Sequence, residues 1–141
     1  MAAAWMLTQF QLVAMLNSWE ANHSGAILTA RLFQNDYVPV DDTVIDDLVE
    51  CDFTGYGLQN FDLDAFGSAG WTPYVAQLLL DHFLTFTASS GLAEPQTAYG
   101  YYVTDEDSEL LWVERWDTPF LFEASSVLNM KPALRQKTCR E

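Results

Sequence analysis

Two runs of aromatic and β-branched residues, Tyr99-Gly100-Tyr101-Tyr102-Val103-Thr104 and Leu110-Leu111-Trp112-Val113-Glu114-Arg115-Trp116, flank the polar tip Asp105-Glu106-Asp107-Ser108-Glu109. Such side chains fit a pleated, half-buried surface, and a short polar tip between two such runs predicts an antiparallel hairpin. A lone hairpin is marginal in water, so this one demands further strands to cover it. The rest of the chain offers them. Residues 26–33 alternate Ile27, Thr29, Arg31 and Phe33 against Ala26, Leu28, Ala30 and Leu32, the two-residue period of a strand. Residues 51–57 read as a short strand broken by Gly55 and Gly57. Residues 77–80 and 83–87 are candidate strands, with a helix across 74–84 as the competing reading, because the leucine run fits either period. Thr118-Pro119 is expected to turn the chain into Phe120-Leu121-Phe122, and 127–134 alternates with Leu128, Met130, Pro132 and Leu134 on one face.

Helical signals are few. Leu7, Phe10, Ala14 and the stretch 16–19 recur at helical spacing, which predicts a helix over about residues 5–20, stopped by Asn22-His23-Ser24-Gly25. The first nineteen residues carry no charge, but Thr8, Gln9, Gln11, Asn17 and Ser18 are costly in hydrocarbon. No basic residue precedes the apolar run, and no cleavage site follows it, so neither a signal peptide nor a membrane span is expected. Residues 40–49 suit a single helical turn capped by Asp41 or Asp42. Residues 65–70 and 88–95 read as loops. Six or seven short strands and one helix define a mainly β fold: an antiparallel β-sandwich or small barrel with a short N-terminal α-helix. The expected layout is one domain over 1–141, with a helical arm at 1–24, a β domain at 25–135 and a basic tail at 136–141.

Composition narrows the function. Of 141 residues half are hydrophobic and 14% aromatic, which excludes a disordered chain. Acids outnumber bases 20 to 6, for a net charge of −14. Such a surface repels phosphate backbones, so neither nucleic acid nor a membrane is an expected partner. Residues 36–64 hold nine acids and no base, whereas Lys131, Arg135, Lys137 and Arg140 place four of the six bases in the last eleven positions. A tail of this sign suits docking on the acidic face of another copy or another acidic protein. The contact candidates are therefore Trp5, Met6 and Leu7 in the uncharged N-terminal segment, and Lys137 and Arg140 in the tail.

Catalytic motifs do not appear. Counting from Asp105, an EF-hand loop would need glycine where Leu110 stands and glutamate where Trp116 stands. A looser calcium site shared between 105–109 and the acids of 41–47 competes with a solvated turn, which is the preferred reading. His23, His82, Cys51 and Cys139 show no paired metal-ligand spacing, and the two cysteines could pair or stay reduced. Gly67-Ser68-Ala69-Gly70 is not a nucleophile elbow, and no glycine-rich phosphate loop is present. Trp5, Trp19, Trp71, Trp112 and Trp116 could stack on sugars, but tryptophans in strands more commonly pack a core or an interface. No catalytic, cofactor or metal residue is assigned.

Two stretches carry a resemblance. The first is Leu28-Thr29-Ala30-Arg31-Leu32-Phe33-Gln34-Asn35-Asp36-Tyr37-Val38-Pro39, followed by Asp46 and by Asp52-Phe53-Thr54-Gly55-Tyr56. The second is Ala98-Tyr99-Gly100-Tyr101-Tyr102-Val103-Thr104-Asp105 with Leu110-Leu111-Trp112-Val113-Glu114-Arg115. Over most of residues 6–135 the chain resembles a family of small hypothetical proteins encoded in tailed-phage structural gene clusters. The resemblance brings no enzymatic residue with it. It implies a non-enzymatic virion protein, either a capsid decoration (cement) protein or an accessory tail component, made in the host cytoplasm. Its partners would be other virion proteins and further copies of itself. The alternative is a host-surface or glycan-binding module of a tail or head fibre.

Overall fold

The computed structural model describes residues 18, 22, 25–40, 42–62, 70–72 and 75–137. All of the expected helix over 5–20 except Ser18, the contact candidates Trp5, Met6, Leu7 and Arg140, and Cys139 lie outside the described residues. Nine strands appear among the described residues: β1 Ile27–Phe33, β2 Gln59–Asp62, β3 Gly70–Thr72, β4 Val75–Leu79, β5 Leu84–Thr87, β6 Gln96–Thr104, β7 Leu110–Phe122, β8 Val127–Met130 and β9 Ala133–Lys137. They form sheets ordered β2-β1-β6-β7, β3-β4-β9 and β5-β8, and the β1–β6, β3–β4, β4–β9, β5–β8 and β6–β7 pairs are all antiparallel. The fold is mainly antiparallel β. Among the described residues none of these sheets closes on itself, so the small-barrel alternative is not realised.

The chain divides into two compact units. One comprises residues 1–26, 62–83 and 131–141 and contains the β3-β4-β9 sheet. There β4 pairs with both neighbours, Leu80 and Ala133 are buried, and the Lys131 ammonium sits 4.9 Å over the Phe83 ring. The other unit comprises residues 27–61 and 84–130 and holds the remaining six strands.

In this second unit the alternation of β1 sets the packing. Leu28, Ala30 and Leu32 are buried on one face, while Arg31 and Phe33 point to the other. On that second face, Phe33 lies opposite Gly100 of β6, and Phe33, Leu48 and Tyr102 form a buried cluster. A second apolar group joins distant segments: Phe53 stacks on Phe122 at 4.3 Å between ring centroids, and Tyr56 stacks on Phe86 of β5 at 6.1 Å. Burying each such side chain contributes roughly 1.5–3 kcal/mol.

The expected hairpin is present and longer than its sequence signal. Thr118-Pro119 does not turn the chain, because β7 runs through to Phe122. β7 stands at the end of its sheet, where proline need not donate to a ladder, and the disturbance is absorbed as an irregularity between the pairs Ala98–Phe120 and Gly100–Arg115. Residues 127–134 are not one strand. Pro132 interrupts them, giving β8 and β9, which belong to different sheets and different units. Residues 51–57 are a turn rather than a strand, with Gly55 at φ +96° and Tyr56 N–H closing onto the Phe53 carbonyl at 2.9 Å. Across 74–84 the strand reading holds and the helix alternative does not.

Candidate functional site: a groove beside an acidic loop

The segment between β1 and β2 is acid-rich and irregular, yet its backbone groups are well satisfied. Gln34 N–H donates to the Val49 carbonyl at 2.8 Å, and Cys51 N–H to the Leu32 carbonyl at 2.9 Å, which ties both ends of the loop to β1. Asn35 bridges it from within, its Nδ2 donating to the Asp47 carbonyl and its Oδ1 accepting from Val49 N–H, both at 2.9 Å. The helical turn expected near Asp41 is a 3-10 turn at Ile45–Asp47. Asp42 does not cap it, being exposed before the turn, and Asp41 lies outside the described residues. Asp47 does the work from the turn's far end, accepting from Val44 N–H at 3.0 Å and from the Tyr37 hydroxyl at 3.3 Å.

Arg115 of β7 locks the loop to the sheet. Its guanidinium pairs with Asp36 at 2.6 Å, donates to the Tyr37 carbonyl at 3.1 Å and lies 5.2 Å over the Tyr99 ring. Tyr37 and Ile45 of the loop and Leu110 and Val113 of β7 then pack against the same buried cluster of Phe33, Leu48 and Tyr102. What remains outward is apolar: Val38, Val40 and Val44 are 66%, 59% and 55% exposed. Single exposed valines are ordinary, but three on one anchored loop form a surface.

Between this loop and β7 runs a groove of about 280 Å³, lined by Pro39, Val40, Thr43, Leu110, Leu111, Trp112 and Val113. The lining takes in all four of residues 110–113, across the register irregularity between the pairs Val103–Trp112 and Thr104–Leu110. Among the described residues β7 is the last strand of its sheet. A second shallow pocket of about 310 Å³, lined by residues 52–54 and 92–96, adjoins a cluster in which Gln96 Nε2 donates to Asp52 at 2.8 Å and to Gln34 Oε1 at 3.2 Å.

The titratable groups behind the loop are built to stay protonated or paired. Glu50 accepts from Arg31 at 3.1 Å and from the Tyr56 hydroxyl at 2.7 Å, while that hydroxyl oxygen accepts Leu32 N–H at 3.2 Å. Burial and the hydrogen bond to Glu50 push the Tyr56 phenol far up. Burial, aided by Asp52 and Glu50, pushes the free Cys51 thiol up to about 12, and burial beside Glu50 pushes Tyr102 to about 12. A thiol held in that form at neutral pH is a packing group, not a nucleophile.

The other sequence candidates fall as follows. In the 105–109 turn, Asp105 Oδ1 accepts from Asp107 N–H and Glu109 N–H, both at 2.9 Å, and Glu106 accepts from Ile27 N–H at 3.1 Å. These contacts describe a hairpin cap, and among the described residues no group of three or more His, Cys, Asp or Glu side chains gathers for a metal ion. His82 meets its neighbour Asp81 at 2.7 Å in an exposed pair. Trp112 donates to the Tyr101 hydroxyl at 3.3 Å, and Trp116 lies 6.5 Å from the Tyr101 ring. Lys137 ends β9, opposite Val75. Among the described residues no helix is long and apolar enough to cross a membrane. The groove itself escaped sequence reasoning because its two walls lie some seventy positions apart; its one local signal was valine recurring in an acid-rich run.

Charge is as segregated as the folding units. The unit of residues 27–61 and 84–130 has 15 acids and two bases, a net charge of −13; the other has five acids and four bases. Both bases of the acidic unit, Arg31 and Arg115, are spent in ion pairs. Self-repulsion on this scale is screened by salt. The melting temperature is therefore expected to rise by several degrees between about 0.01 M and about 0.5 M sodium chloride, over which the Debye length falls from about 30 Å to a few Å. A scanning calorimeter reading no rise, or a fall, would show that the acids are held apart or paired well enough not to matter.

Comparison with family models, with curated proteins and with solved structures finds no match to this chain.

Proposed function

We propose that this chain is a non-enzymatic virion structural protein of a tailed phage, a capsid decoration (cement) protein or an accessory tail component. It works among other virion proteins and as a homo-oligomer. In this reading the β fold is an antiparallel β-sandwich, and Trp5, Met6 and Leu7 contribute contacts to the assembly. The observation that carries the proposal is the groove between β7 and an anchored loop on which Val38, Val40 and Val44 are all more than half exposed. Apolar surface gathered in this way, rather than scattered singly, marks a protein–protein contact. The acidic surface supports the same reading, because negative charge suits the outside of a DNA-filled shell and not its inside.

Quantitative mass spectrometry of purified particles tests it. Tens to hundreds of copies per particle are expected for a decoration protein, and a few for a tail component. Absence from particles made by a phage that expresses the chain would overturn the proposal. A few copies confined to fibre tips would favour the glycan-binding alternative.

A further inference from the structure

We infer that the groove between β7 and the loop of residues 36–49 receives a basic segment of a different protein, one that carries aliphatic side chains between lysines or arginines. This partner rests on the assembly reading above and gives it a chemistry. The groove offers apolar contact and little else. None of its seven lining residues is charged, and the Thr43 hydroxyl is already engaged, accepting from Val40 N–H at 2.8 Å and lying 3.0 Å from the Tyr37 hydroxyl. At about 280 Å³ it falls below the roughly 300–1,000 Å³ of pockets that enclose a small molecule, and it suits a few side chains of another chain. The same loop adds Val38 and Val44, both more than half exposed. Asn35, Asp47 and Arg115 hold that loop in place beforehand, so binding bears little cost of ordering it.

Charge decides which chain fits. The groove lies wholly in the unit of net charge −13, whose two bases, Arg31 and Arg115, are both in ion pairs. Asp42 and Glu109, next in sequence to the lining residues Thr43 and Leu110, are exposed, as is Asp46. Acids so placed attract lysine and arginine and repel an acidic partner. A second copy does not supply the complement. It would present either the same acidic unit or a unit of five acids and four bases, and neither is net positive. The two parts of the contact act on different rate constants. Exposed acids steer the approach and raise the association rate, whereas aliphatic burial in the groove slows dissociation.

Matched peptides on the full-length chain test this, read by amide chemical shifts and by surface plasmon resonance. The probes are peptides of equal length that alternate leucine with lysine, leucine with glutamate, or serine with lysine. The leucine–lysine peptide is expected to shift amides of residues 40–43 and 110–113 and to bind about tenfold tighter than either of the others, an amount that one or two buried aliphatic side chains supply. D42N/E109Q should slow its association severalfold and leave dissociation unchanged. V40S/L111S, at two exposed positions outside the core, should speed dissociation severalfold and leave association unchanged. Shifts confined to other residues, a serine–lysine or leucine–glutamate peptide that binds as well, or two variants that alter the same rate constant would each overturn the inference. Photo-cross-linking in purified particles, from a diazirine amino acid in place of Val40, is the separate readout. An adduct with a basic segment of another virion protein supports the partner. An adduct with an acidic segment or with a second copy, or no adduct in particles that contain the chain, overturns it and leaves the virion assignment standing. Particles that lack the chain, with peptide binding as expected, would overturn the virion assignment and leave the chemistry of the groove standing.

Discussion

Replacing Gly100 with alanine is expected to destabilise the protein by about 3 kcal/mol or more, against the roughly 5–15 kcal/mol that holds a domain folded. A Cβ at this position would lie in hard contact with the Glu114 carbonyl oxygen of β7 and 2.8 Å from two ring carbons of Phe33. Neither can yield cheaply. The carbonyl belongs to the β6–β7 ladder, and Phe33 is fully buried against Tyr102 and Leu48. Phe33 stands directly opposite Gly100 in the β1–β6 register, so the glycine is the hole into which the ring packs. Gly57 serves as the control, because a Cβ there meets nothing within 4 Å. Urea titrations should separate the two alanine variants clearly. Equal midpoints would show that the sheet deforms more easily than its packing implies.

The second large effect is alkaline unfolding. Cys51 has an ordinary thiol pKa of 9.0 in the unfolded chain and about 12 in the fold, where burial leads and the Asp52 and Glu50 carboxylates add. Between those values the unfolded chain has released a proton that the native state retains, so the unfolded state gains and stability falls as pH rises. The contribution is whole below pH 9 and lost as pH climbs through about 12; for this one group it amounts to about 4 kcal/mol. Tyr102, raised from 10.0 to about 12 by burial and Glu50, acts in the same direction, and Tyr56 does so more strongly. A cooperative loss of structure between about pH 10 and pH 12 is expected from circular dichroism. At pH 8, Cys51 should resist thiol reagents until denaturant is added. Stability that stays level to pH 12, or rapid labelling of the native thiol, would contradict this account of the buried cluster.

Local pattern and long-range packing divide what the sequence could reveal. The β6–β7 hairpin was legible because its evidence lies within eighteen residues: two aromatic runs and an acidic tip that folds back on Asp105. β1 was legible for the same reason, its two-residue period marking Leu28, Ala30 and Leu32 as the buried face. Pro119 misled because proline breaks a central strand but not a terminal one, and which strand is terminal depends on the whole sheet. Pro132 misled the other way: the apolar alternation continues across it while the chain passes from one sheet to another. The turn at 45–47 lacks a conventional cap in sequence, since Asp47 caps from behind and Tyr37 steadies it from ten positions upstream. The groove was the least legible feature. Its walls meet only because Arg115 pins Asp36 and Tyr37 to β7, a pairing that joins positions 78 and 79 residues apart.

Electron cryo-microscopy of intact particles tests the central claim most directly, that this chain acts by being assembled into the virion. The account predicts density for the β-rich fold on the outside of the particle, repeated over the head or ringed at the tail, with the groove between Val40 and Leu111 covered by a neighbouring protein. Density with that groove facing solvent, or particles without the chain at all, would contradict it.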